Sequence, residues 1–322
     1  MKTYKESPVI HAAHFGLEGR FKIDKRKVGS DELIEVAPWQ DNLILNRGLD
    51  AFGNNSIRSL DSWMYALAVG SGSTPPTVSD TGLVAKIAQT ERSSGAGAST
   101  SGRVLGANPY GWSRKTYEFA AGAAAGNLSE LGLKYYTNDN LMHTRALIKD
   151  SSGEPTTITV LSDEILIVTY EVRLYVDMTD KTSVVNIKGV DTTVTVRPSQ
   201  INDTAVWFSP SGSFAFSDYV WGYYWYRDGT GLGVGPTDGK PSGTLTTFSN
   251  ASITQHAYVA GSYRWETSGP MTIQNGAGMT FTGAEGVSAV LQFQVGFSPG
   301  WAKTNAETVA LRMAVTWGRY SP

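Results

Sequence analysis

The chain has 322 residues, 41% of them apolar and 17% charged, with a formal net charge of -2 and no cysteine. So small a charge leaves no electrostatic footprint for nucleic acid or an anionic membrane, and the lack of cysteine excludes disulfides and thiolate zinc sites. No apolar run nears the roughly 20 residues of a membrane span. The opening Met1-Lys-Thr-Tyr-Lys-Glu-Ser-Pro8 has no apolar core of a secretory signal, so the expectation is a protein that stays in the cytosol of its producer or leaves by lysis or a dedicated route.

Residues 1–14 read as an extended polar arm. Phe15 to Val36 alternates as a hairpin, with a turn at Gly29-Ser30-Asp31 and a basic run, Lys25-Arg26-Lys27, whose acidic neighbours make it a solvated hairpin edge. Residues 41–52 are the one helix candidate: Asp41 or Asn42 can cap it, and Leu45, Leu49 and Phe52 recur at helical spacing.

The apolar run Trp63 to Val69 breaks into Gly70-Ser-Gly72-Ser-Thr-Pro-Pro76 and Thr77-Val-Ser-Asp-Thr-Gly-Leu83, the pattern of a strand feeding a surface loop. Leu83 to Gln89 is extended. Ser93 to Gly102 is almost wholly Ser, Gly, Ala and Thr, which predicts a flexible or partner-ordered loop. Trp112 to Phe119 alternates with period two, Leu128 to Tyr135 and Leu141 to Ile148 are strands, and Asp150 to Gly153 is a turn. The β-branched run Ile165 to Tyr175 is a central strand.

Thr182 to Ile187 and Thr192 to Arg197 form a hairpin about Gly189. Beyond it the landmarks recur in order. Trp221-Gly-Tyr-Tyr-Trp-Tyr226 and its Gly/Pro-rich loop stand where Trp63 and its loop stood, and Tyr263-Arg-Trp265 stands for Thr116 to Phe119. Phe281 to Phe293 and Val309 to Tyr320 answer Ala123 to Leu133 and Ile165 to Tyr175. The expected architecture is all-β: two antiparallel, jelly-roll-like β-sandwich domains, 15–176 and 177–322, related by internal duplication.

No catalytic constellation emerges. His11 and His14 have a metal-compatible spacing but no third ligand nearby, and His143 and His256 have no nucleophile in a strand-to-helix elbow. Gly70-Ser-Gly-Ser lacks the Gly-Lys-Ser/Thr of a phosphate loop, and Gly229-Thr-Gly-Leu-Gly-Val-Gly235 lacks the helix that dinucleotide binding needs. Asp61, Asp80, Asp163, Glu164 and Asp228 are scattered at loop ends, where Asp ordinarily makes turns, and single out no glycosidase pair. The expectation is a non-enzyme with no cofactor and no metal.

The aromatics carry more information. Trp221, Tyr223 and Trp225 share one face of a strand, and Tyr224 and Tyr226 share the other. One face is core. The other is a platform for a neighbouring subunit or for stacked sugars.

Three segments together resemble a family of tailed-bacteriophage virion proteins: Asn42-Leu-Ile-Leu-Asn-Arg-Gly-Leu-Asp50; Ala68-Val-Gly-Ser-Gly-Ser-Thr-Pro-Pro76 with Ser79-Asp-Thr-Gly-Leu83; and Leu128-Ser-Glu-Leu-Gly-Leu133. The resemblance spans roughly residues 20–176. It implies a β-rich structural component of the particle, typically tail-associated: a fibre, collar or baseplate protein. Its partners would be copies of itself and other virion proteins, with assembly contacts at Trp63, Pro75, Pro76, Leu83 and the N-terminal arm. The alternatives are a host-receptor or glycan-binding module using Trp221, Tyr223, Tyr224, Trp225 and Tyr226, or a head decoration protein.

Overall fold

The computed structural model describes residues 9–53, 60–92, 99–104, 106–136, 141–200, 220–227, 232, 244–246, 254–255, 259–272, 279–288, 292–304 and 308–322. The fold is mostly antiparallel β-sheet, as its alternating sequence demands. The described residues divide into two compact units, one within Gly16–Tyr175 and Gly318–Pro322, the other within residues 9–15, 176–200 and 220–317.

In the first unit, β1 (Val9–Lys27), which belongs to it from Gly16 on, forms a hairpin with β2 (Ile34–Ile44). A two-turn helix α1 (Asn46–Gly53) and a single turn α2 (Leu60–Trp63) follow. Next come β3 (Ala66–Gly70), β4 (Lys86–Thr90), β5 (Ser99–Val104), β6 (Tyr110–Glu118), β7 (Gly126–Leu128), β8 (Glu130–Lys134), β9 (Thr144–Leu147), β10 (Ile158–Val160) and β11 (Glu164–Val176). The pairing order is β1-β2-β9-β8-β3-β4, with β11, β6 and β5 branching in turn from β1. β11 is the central strand that its β-branched run predicts. Its first nine residues are buried whatever their direction, and only Arg173 and Tyr175 reach partial exposure. β6 alternates without a break, so its odd-numbered members from Gly111 to Tyr117 face the core. Leu17, Phe21, Leu67, Val69, Tyr117, Leu131, Leu133, Leu166, Val168 and Val172 are each at most 2% exposed and fill that core.

Two expectations are corrected here. The helix does not begin at Asp41 or Asn42: β2 continues through Ile44, because Leu43 and Ile44 pair with Arg145 and Thr144 of β9. The helical spacing of Leu45, Leu49 and Phe52 is nevertheless used, and all three are buried. The small-residue stretch from Ser93 also ends as sheet. Ser99 to Val104 pairs with Lys115 to Tyr110, so the partner that orders it belongs to its own unit. Residues 93–98 lie outside the described residues.

The second unit holds β12 (Lys181–Ile187), β13 (Val190–Gln200), β14 (Val220–Arg227), β15 (Thr244–Thr246), β16 (Thr254–Gln255), β17 (Arg264–Thr272), β18 (Met279–Ser288), β19 (Gln292–Lys303) and β20 (Thr308–Arg319). One path runs β12-β13-β19-β18-β14-β15, and β16, β17 and β20 pair in that order. Val194, Val196, Phe293, Val295, Phe297 and Trp301 are among its buried residues. The two long paths have the same form: an opening hairpin, then two later strands, then two earlier ones. In each unit a long closing strand, β11 or β20, lies antiparallel to a preceding one, β6 or β17.

Candidate functional site

The segment around Trp63 is built inward. Its indole N–H donates to the carbonyl of Gly48 in α1 at 2.9 Å, and its own carbonyl accepts from His143 Nδ1 at 2.8 Å. Phe52 and His143 pack on its ring, each with centroids 5.2 Å away. The amide of Leu45 reaches the carbonyl of His143, and a Cβ at Gly48 would collide with that same carbonyl. Helix, turn and strand thus meet without room for a methyl group. Burial pushes the His143 imidazole down to about 4, so near neutrality it is uncharged, with its proton on Nδ1 for Trp63.

From this anchor β3 delivers the loop of residues 71–85, which two buried side chains hold. Glu130, fully buried on β8, accepts from the amide of Ala85 at 2.8 Å, from Gly72 at 3.1 Å and from Val84 at 3.2 Å. Arg145 on β9, 1% exposed, donates to Glu130 at 3.0 Å, to Asp80 Oδ2 at 2.6 Å and to the carbonyl of Thr74 at 2.7 Å. Ser129 Oγ adds a bond to the carbonyl of Gly72 at 2.9 Å. A Cβ on Gly72 would strike Glu130 Oε1, so glycine is required where the carboxylate reaches the chain.

Burying a carboxylate is costly unless it is paired and hydrogen-bonded; here three loop amides and a guanidinium do both. Asp80 closes the loop by taking the amide and hydroxyl of Thr77 at 3.0 and 2.6 Å. Burial pushes the Asp80 carboxyl up, but Thr77 and Arg145 outweigh it and hold the group below its ordinary range.

The arrangement presents a fixed outer rim. Pro75 is exposed and Pro76 and Leu83 are half-buried, with Val78 at 41% and Val84 at 57% exposure beside them. Trp63 is 1% exposed, which corrects the surface role expected of it: its rings and polar atoms are spent inside the unit. Trp221, Tyr223, Tyr224, Trp225 and Tyr226 fall on β14, whose backbone pairs with β18 from Val220↔Ser288 to Arg227↔Phe281. Their side chains lie outside the described residues, as does His256. The N-terminal arm is described only from Val9. In it His11 is exposed, and His14 Nδ1 meets Thr316 Oγ1 at 2.9 Å.

A second constellation, which the sequence reading missed, covers the outer face of β6, β11 and β1. Glu171, 2% exposed, bonds Arg20 at 3.0 Å, Arg173 at 2.8 Å and Arg114 at 2.5 Å. Arg20 and Arg114 lie over the ring of Trp39 at 4.4 and 5.2 Å, Arg114 also over Trp112, and Arg173 over Tyr110 at 4.7 Å. Burial pushes the Glu171 carboxyl up, but the arginines outweigh it and the net shift is downward. Period-two spacing marks Arg114 and Glu171 as outward positions; only the register sets them directly opposite.

Among the described residues no group of three or more His, Asp or Glu side chains is placed to hold a metal ion, and no helix is long and apolar enough to cross a membrane. In comparisons with known proteins, no family model matches the chain, and no curated protein or solved structure does.

Proposed function

We propose that the chain is a non-enzymatic structural subunit of a tailed-phage particle, tail-associated as a fibre, collar or baseplate component, assembled in the host cytoplasm. One observation carries the reading. The three segments that resemble virion proteins belong to one assembly of contacts: Glu130 of the third holds Gly72 of the second, and Asn46 of the first donates its amide to the carbonyl of Val78. Residue types that would suggest chemistry are engaged in structure: buried Glu130 and Arg145 with part-buried Asp80 fix the loop, and buried His143 holds Trp63. A scaffold with a rigid projecting loop and partly apolar rim suits repeated contacts with neighbouring subunits.

The test is to fractionate a lysate containing the particles on a density gradient and quantify the chain by mass spectrometry. Co-sedimentation in a fixed ratio to the major head protein is expected; recovery only in the soluble fraction contradicts the reading. A second reading, glycan binding, draws on the Trp39, Trp112 and Tyr110 rings among the arginines of the outer face. A glycan-array signal that Trp112→Ala abolishes would favour it over a purely structural role.

A further inference from the structure

The two units differ at one edge. In the first, the opening hairpin strand β1 has β2 on one side and the long strand β11 on the other. In the second, the opening strand β12 pairs with β13, and among the described residues nothing pairs with its other edge.

That edge lacks the usual protection. Lys181 to Ile187 pairs with Val196 to Val190 without a register shift, contains no proline, and has a charge only at its first residue. At its centre stands Val184, 67% exposed.

We propose that β12 is a strand-addition site whose occupant is β12 of a second copy of this chain, antiparallel about a two-fold axis through Val184. The hydrogen-bond phase supports that register. The hairpin turns through Lys188 and Gly189, both with positive φ (56° and 88°), the signature of a two-residue turn. Ile187 and Val190 then exchange both hydrogen bonds, as do Val185 with Thr192 and Ser183 with Val194, so Thr182, Val184 and Asn186 aim their backbone N–H and C=O groups at the free edge. Two copies centred on Val184 set Val184 against Val184 and Thr182 against Asn186 as hydrogen-bonded pairs, about six new bonds in all.

Side chains and charges agree with it. The two Val184 side chains meet on the solvent face. Lys181 falls opposite Ile187 of the second copy, so no like charges oppose each other, and Asp180, ion-paired to Arg197 of its own chain, comes alongside Lys188 of the second copy, whose ammonium also bonds the Ala302 carbonyl.

The test uses the full chain in sedimentation velocity over a concentration series, with amide exchange. The expected result is a dimer, or a higher even-numbered oligomer, whose Thr182, Val184 and Asn186 amides are protected. Val184→Lys places like charges on the axis and weakens the dimer about 100-fold or more. Val184→Pro removes an outward N–H that the hairpin does not use, and has the same effect. Val190→Lys, on the paired strand, leaves the dimer intact. Thermal melts check that each variant folds, and should Val184→Pro fail to fold, Val184→Lys and the wild-type exchange pattern still decide. A monomer up to about 100 μM, a trimer, or a dimer indifferent to Val184→Lys overturns the proposal.

Discussion

Glu130 and Glu171 are both buried carboxylates bound by arginine, yet they do different work. Glu130 has no exposure, and its partners are three loop amides and Arg145, whose side chain is 2% exposed. Glu171 faces arginines whose side chains keep 16 to 36% of their surface in water. If Glu130 is lost, three loop amides lose their acceptor inside the unit; if Glu171 is lost, three guanidiniums turn outward and hydrate. What separates the two is how far the partners can rearrange.

The sharpest way to break this comparison is Glu130→Ala, which strands three loop amides and leaves Arg145 only Asp80 and the Thr74 carbonyl. A loss of about 3–5 kcal/mol is expected in denaturant unfolding, and a loss below 1 kcal/mol would place Glu130 with ordinary surface pairs. Next comes the pH dependence of the same region through His143. Its folded-state value of about 4 lies below the unfolded value of 6.5, so as pH falls the unfolded chain binds the proton first. Its stability contribution is complete above about pH 6.5 and is lost as pH drops toward 4, by about 3 kcal/mol in total. In a titration of unfolding free energy, His143→Gln should flatten that slope; an unchanged slope refutes the assignment.

Gly48→Ala drives a methyl group onto the carbonyl of His143 and should cost about 1–3 kcal/mol by thermal melting. The smallest effect belongs to the outer face. Glu171→Gln should cost about 1 kcal/mol, and a loss as large as that of Glu130→Ala would erase the distinction.

Much of the sheet was legible because period-two burial writes itself into sequence: the alternation of Trp112 to Phe119 and the β-branched run of β11 became the strands they predict. The start of α1 was misplaced because pairing of Leu43 and Ile44 with β9 overrode the capping propensity of Asp41 and Asn42. Ser99 to Val104 has too little apolar surface to signal a strand; its order comes from backbone bonds to β6, which composition does not report.

The candidate site was half-legible. Gly70, Gly72 and Asp80 marked the loop, but Glu130 and Arg145 lie 15 residues apart, and Glu130 is 58 residues from Gly72. Only the fold brings them together, and no local pattern distinguishes a buried Glu on an apolar strand from a solvated one. Trp63, expected among the assembly contacts, is instead covered by Phe52 of α1 and by His143, 80 residues away in sequence.

The most direct measurement is amide exchange at Gly72, Val84 and Ala85 in the wild type and in Glu130→Ala. The account predicts strand-like protection of all three in the wild type. In the variant it predicts exchange at rates of an open loop, while the amides of β11 stay protected. Equal protection in both proteins would contradict the role of Glu130 in holding the loop.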